Sequence, residues 1–156
     1  MSESGYPAFC WFEDFVVGQQ FQYGAWEMER DEMIAFSERF DPEPFHVDEA
    51  AAEALGWGGL IASGPMIGAI WRRLSKDAFP NVETVISPGW DMIKWRRPVY
   101  VGDVLTAKSH ITEARQLESR PGEGLVKMAN DVVNQKDETV MLSVANWFVR
   151  CRPEPE

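Results

Sequence analysis

The stretch Pro65-Met66-Ile67-Gly68-Ala69-Ile70-Trp71 constrains this chain more than any other. Met66, Ile67, Ile70, Trp71 and Leu74 recur at helical spacing, while Arg72, Arg73, Ser75 and Lys76 are polar. Pro65 suits the first helical position, where its missing N–H costs least. From Met66 to Trp71 there is no charge at all. A helix that is apolar nearly all round has to be enclosed, so the rest of the chain must supply a wrapping layer.

That layer is expected from the second half. After Pro80 the pattern turns to strands, the first running from Trp90 to Trp95. Pro98-Val99-Tyr100-Val101-Gly102-Asp103 reads as a bend. Beyond it, Leu105, Ala107 and Ile111 alternate with Thr106, Lys108, His110 and Thr112. Leu125 to Gln135 and Thr139 to Arg150 suggest a hairpin about Lys136-Asp137-Glu138. The last strand is apolar on both faces, which places it mid-sheet with both sides covered.

Upstream, Phe21 and Tyr23 alternate with Gln20 and Gln22 in a short strand. Met33, Ile34, Phe36 and Phe40 favour a helix from Arg30 to Phe40, ended by Pro42 and Pro44. Asp48 can cap a further helix from Glu49 to Leu55. The expected fold is α+β, with an antiparallel sheet wrapped around the apolar helix. At 156 residues the chain reads as one domain, 1–156, with a core at about 15–150 and a frayed tail at 151–156. Seven Trp and nine Phe are a heavy aromatic load, and part of it is expected to be covered by a second subunit.

Charge narrows the partners. A net charge of −10 and a pI of about 4.7 disfavour nucleic acid and anionic membranes. No run approaches the ~18 apolar residues of a membrane span, and Met1 to Phe15 lacks a signal-peptide pattern. Cys10 and Cys151 support neither a disulfide framework nor a zinc site, so a reducing cytoplasm is the expected setting.

Two histidines keep the search for acid–base chemistry short. His110 lies on the polar side of an alternating strand, among Thr106, Lys108 and Thr112, where a solvated or interface role is expected. His46 follows Asp41 by five residues in Phe40-Asp41-Pro42-Glu43-Pro44-Phe45-His46. On a straight strand an odd separation would send the two side chains to opposite faces, so only a bent segment makes them converge. The prolines would stiffen such a bend. Spacing alone leaves an ordinary interhelical turn equally open. Asp48 is assigned to capping and Glu43 to solvent. Ser63-Gly64-Pro65 stands at the start of the apolar helix, where free N–H groups suit a carboxylate, a phosphate or a developing oxyanion. A plain cap by Ser63 is the alternative, and Gly56-Trp57-Gly58-Gly59 lacks the spacing of a phosphate loop.

Phe40-Asp41-Pro42-Glu43-Pro44-Phe45-His46, then Gly58-Gly59-Leu60-Ile61-Ala62-Ser63-Gly64 and Pro98-Val99-Tyr100-Val101-Gly102-Asp103, together resemble the MaoC-type dehydratases. These are the (R)-specific enoyl-CoA hydratases of the hot-dog fold, and the resemblance runs from about Phe21 to Val149. It implies a catalytic pair, Asp41 and His46, and a substrate-binding element, Ser63 and Gly64, with the Gly64 N–H on the thioester oxygen. It also implies a homodimer or higher oligomer, an acyl-CoA or acyl-carrier substrate, and neither metal nor redox cofactor. Two positions depart from the family pattern: Glu43 replaces the usual asparagine, and Ser63-Gly64-Pro65 replaces a frequent His-Gly-Met. Two other activities stay open, an acyl-CoA thioesterase of the same fold and a non-catalytic acyl-thioester-binding subunit. For the phosphates of the thioester handle the candidate cations are Arg72, Arg73, Lys76, Lys94, Arg96, Arg97, Arg150 and Arg152.

Overall fold

The computed structural model of this chain describes residues 8–155. Its strands are β1 (Gln20–Glu27), β2 (Thr84–Trp95), β3 (Val104–Gln116), β4 (Glu123–Val133) and β5 (Thr139–Arg150). They form one antiparallel sheet in the order β1-β3-β4-β5-β2. Between β1 and β2 come α1 (Arg30–Phe40), the single turn α2 (Pro44–Val47), α3 (Glu49–Ala54) and α4 (Gly64–Ala78). The architecture is the α+β arrangement that the apolar helix demands.

The enclosed helix is α4. Met66, Ile67, Gly68, Ile70, Trp71, Leu74 and Ala78 are all buried. They pack into one core with Ala107, Ile111, Val126, Met128, Val132, Met141 and Ala145 from the inner face of the sheet. Trp71 is wholly buried, and a side chain of that class contributes roughly 1.5–3 kcal/mol on leaving water. Phe79, just past α4, meets Phe9, Phe21 and Trp147 edge-on. Midway across the inner face runs a polar row. Ser109 hydrogen-bonds the Tyr23 hydroxyl and donates to Asn130 Oδ1, and Asn130 donates in turn to Ser143.

Several expectations change in detail. β2 begins at Thr84 rather than Trp90; Pro88 and Gly89 hide its first half, and its register with β5 shifts there. β1 continues to Glu27 past an irregularity between Tyr23 and Trp26. Phe40, on the helical stripe of α1, is exposed. β4 ends at Val133, because Asn134 turns the chain by accepting the N–H groups of Lys136 and Glu138. β5 lies between β4 and β2 as an inner strand, yet Leu142, Val144 and Phe148 on its outer side are only half-buried. Arg152 is anchored rather than frayed, its N–H on Glu13 and its guanidinium on Asp14. Residues 1–7 and 156 of the expected domain lie outside the described residues. Among the described residues no helix is long and apolar enough to cross a membrane.

Candidate active site

The bend required between Asp41 and His46 is a single helical turn. α1 ends where Asp41, at φ −155° and ψ 67°, leaves helical geometry with its N–H on Ser37 O. Pro42 prevents the helix from continuing. Pro44 then opens α2, whose turn closes through His46 N–H to Glu43 O and Asp48 N–H to Pro44 O. The reversal brings His46 Nε2 to 3.5 Å from Asp41 Oδ2. Asp48 caps α3 by accepting the Ala51 N–H, as its position suggested.

His46 is buried, and its Nδ1 lies 2.8 Å from the Ile61 carbonyl. A carbonyl only accepts, so Nδ1 carries a proton, and Nε2 is the ring nitrogen that faces Asp41. Ile61 is itself held by a bridge to Tyr100, while Ala62 N–H donates to Val99 O. The Pro98–Asp103 bend thus positions the carbonyl that orients the imidazole.

Ser63 is completely buried at the N-cap of α4 but makes no side-chain cap. Its hydroxyl donates to Asp41 Oδ2 at 2.6 Å. The plain capping role is therefore absent, and the hydroxyl is directed to the carboxylate. Gly64 begins the 15-residue α4, and its N–H has no acceptor among the described residues. The indole N–H of Trp95 donates to the Gly64 carbonyl at 2.9 Å. A Cβ on Gly64 would lie 2.5 Å from the Trp95 ring, so the glycine is needed for close approach.

Asp41 and Gly64 open on a cavity of about 470 Å³, walled by Trp57, Ile61, Ala62, Ile67, Trp95 and Val99. Arg96 and Arg97 stand at its edge. His46 and Ser63 sit behind Asp41, off the lining. A larger hollow of about 580 Å³ lies on the outer face of the sheet and includes exposed His110 and Asp131, which form no ion pair with each other. Glu43 is exposed, as expected. No group of His, Cys, Asp and Glu suited to a metal occurs among the described residues.

Sequence reasoning missed Trp57 and Trp95 as walls. An aromatic residue ending a strand just before a basic pair was the available signal for Trp95. Of the proposed cations, Arg73 pairs with Asp77, Lys76 donates to Pro80 O, Arg72 to Ser75, and Arg152 is held by Asp14.

The FAS1-like dehydratase domain region family matches residues 15–143. A MaoC-like dehydratase from Rhodospirillum rubrum is 34% identical in sequence, superimposes with a TM-score of 0.85, and aligns over 92% of this chain and 99% of its own. The chain belongs to the MaoC-like dehydratase family of the hot-dog fold. The R-hydratase PhaJ1 of Pseudomonas aeruginosa shares that fold, with a TM-score of 0.75 at 24% identity, over 95% of this chain and 92% of its own. Among curated relatives, the uncharacterised protein YdeM of Bacillus subtilis is 28% identical over 82% of this chain and 90% of its own.

Proposed function

We propose that this MaoC-like protein adds water to, or removes it from, the α,β double bond of an acyl thioester, as an (R)-specific enoyl-CoA or enoyl-carrier hydratase. The observation that carries the reading is that Asp41, backed by His46 at 3.5 Å, and Gly64, whose N–H has no acceptor among the described residues, line one apolar cavity.

The chemistry follows from what each group can do. A water held by the Asp41 carboxylate and Nε2 of His46 donates an O–H to Asp41 and turns a lone pair toward the β-carbon. Asp41 takes the proton as the C–O bond forms. Its Oδ2 already accepts from Ser63, which leaves Oδ1 without a partner among the described residues. The electron pair of the double bond moves onto the thioester oxygen, where the Gly64 N–H and the helix start stabilise it; one such donor is worth roughly 3–4 kcal/mol. The α-carbon then collects a proton returned through the Asp41–His46 pair. One water is consumed, and no step calls for a metal or a redox group.

A homodimer completes the reading. β2 pairs only with β5 among the described residues and carries exposed Ile86, Trp90 and Trp95. A long apolar edge of that kind is a ready surface for a second copy. Cys10 and Cys151 are free thiols, consistent with a cytoplasmic enzyme of fatty-acyl metabolism.

Crotonyl-CoA mixed with the purified protein is expected to lose the absorbance of the conjugated enoyl group without release of free thiol. Thiol release would instead identify a thioesterase, and no change across a panel of enoyl-CoAs would identify a binding subunit. Asp41→Ala and His46→Ala should each lower turnover at least ~10²-fold in a folded protein. A comparable loss from His110→Ala would place the chemistry at the wrong histidine.

A further inference from the structure

A single carbonyl, that of Ile61, accepts from the His46 ring, with Nδ1 at 2.8 Å. That carbonyl ends a pliant stretch of chain, Trp57-Gly58-Gly59-Leu60-Ile61. Gly58 and Gly59 sit at φ 77° and 153°, and glycine loses more freedom than any other residue when it is ordered. No backbone N–H from Gly58 to Leu60 donates to another carbonyl among the described residues, and the Ile61 N–H reaches Phe45 O only at a long 3.4 Å. Left to itself, such a stretch would let the Ile61 carbonyl wander.

Tyr100 grips it at both ends. The Tyr100 hydroxyl donates to the Trp57 carbonyl at 2.7 Å, and its backbone forms the bridge to Ile61. Between these points the ring passes Gly59, where an added Cβ would lie 3.9 Å from Tyr100 Cδ1. Tyr100 is fixed in its turn. Its N–H donates to Asp103 Oδ2 at 2.8 Å, and the Asp103 N–H returns to the Tyr100 carbonyl at 3.1 Å. Asp103 is buried, and its Oδ1 accepts from Gln135.

We propose that Tyr100 is a positioning residue for His46: its hydroxyl pins Trp57, the pinned stretch fixes the Ile61 carbonyl, and that carbonyl sets the angle of the imidazole toward Asp41. The catalytic consequence rests on the hydratase reading above, whereas the orientation of the ring does not. Tyr100 lies off the lining of the cavity shared by Asp41 and Gly64, so it acts without touching substrate. Trp57 does line that cavity. The rival account is therefore that the hydroxyl serves only to hold a wall.

Tyr100→Phe removes the hydroxyl, keeps the ring, and should leave the circular-dichroism spectrum unchanged. The chain has two histidines, so His110→Gln leaves His46 as the sole imidazole for nuclear magnetic resonance. Adding Tyr100→Phe in that background should speed exchange of the His46 Nδ1 proton with water at least about 5-fold. An unchanged rate would overturn the assignment. On crotonyl-CoA, Tyr100→Phe should lower kcat at least about 5-fold while KM moves less than about 2-fold. In the His46→Ala background the same change should cost less than about 2-fold, because residues that act through one group are not additive. A KM rise at unchanged kcat would assign the hydroxyl to the Trp57 wall, and an equal loss with or without His46 would mark a general structural effect; either result overturns the proposal. Should no enoyl thioester be hydrated, the hydratase reading falls on its own, and the exchange rate of the Nδ1 proton still decides the role of Tyr100.

Discussion

Ser63 Oγ donates to Asp41 Oδ2 across 2.6 Å from a position with no solvent exposure. The first residue before the apolar helix thus aims the carboxylate that ends α1. Without the hydroxyl, Asp41 gains freedom to rotate away from His46. Ser63→Ala is expected to lower kcat about 10-fold, with a smaller change in KM, because a charge-assisted hydrogen bond is worth roughly 1.5–3 kcal/mol. Steady-state kinetics on an enoyl thioester check this. Wild-type kcat in a folded Ser63→Ala protein would show that the bond is only structural.

Gly64 tests the close approach of helix and strand. Its backbone is compatible with alanine, but the added Cβ would press into the Trp95 indole at 2.5 Å. Gly64→Ala should therefore destabilise the fold by about 1–3 kcal/mol, the usual cost of overpacking. Trp95→Ala in the same chain should remove most of that loss. Denaturant titration of the two single variants and the double variant, at fixed protein concentration, measures the coupling.

Much of this was legible in the sequence. The charge-free run from Met66 to Trp71 dictated an enclosed helix, and the alternation in Leu105–Ile111 dictated the inner face of β3. Two prolines marked a bend between Asp41 and His46, but spacing could not show that the bend is a helical turn, since a turn this short has no periodicity to read. The partner of Ser63 was equally hidden: its contact spans 22 residues and depends on how α1 and α4 pack. Pro88 and Gly89 broke the pattern of β2 because a strand paired on one side tolerates irregularity that an inner strand does not.

The chain ends supply a prediction about acid. Partial burial of Asp14 favours its neutral form, but the N–H groups of Trp11 and Cys10 and the Arg152 guanidinium outweigh it and hold the carboxyl below its ordinary value. A lowered folded-state pKa contributes stability above the unfolded value, and that contribution is lost as pH falls through the folded one. Asp14→Asn should cost about 1 kcal/mol near neutral pH and should flatten the decline in stability below pH ~4. Urea midpoints measured across that range, at constant salt, check both halves.

In the sheet, Asn130 accepts from Ser109 and donates to Ser143 and to the Met128 carbonyl. Asn130→Ala would take a partner from three buried groups at once, of which Ser109 keeps the Tyr23 hydroxyl. An expected cost of about 2–3 kcal/mol follows from leaving such groups unpaired. A loss under 1 kcal/mol in chemical unfolding would mean that the neighbours re-pair among themselves.

Trp95 closes β2, an edge strand, and its indole donates to the carbonyl of Gly64, which lines the cavity. The candidate site is thereby buttressed from an edge of the sheet rather than from its middle. Gentle warming that unzips this margin would misaim the amide while Asp41 and His46 keep their places, so catalysis should fail several degrees before the circular-dichroism signal does.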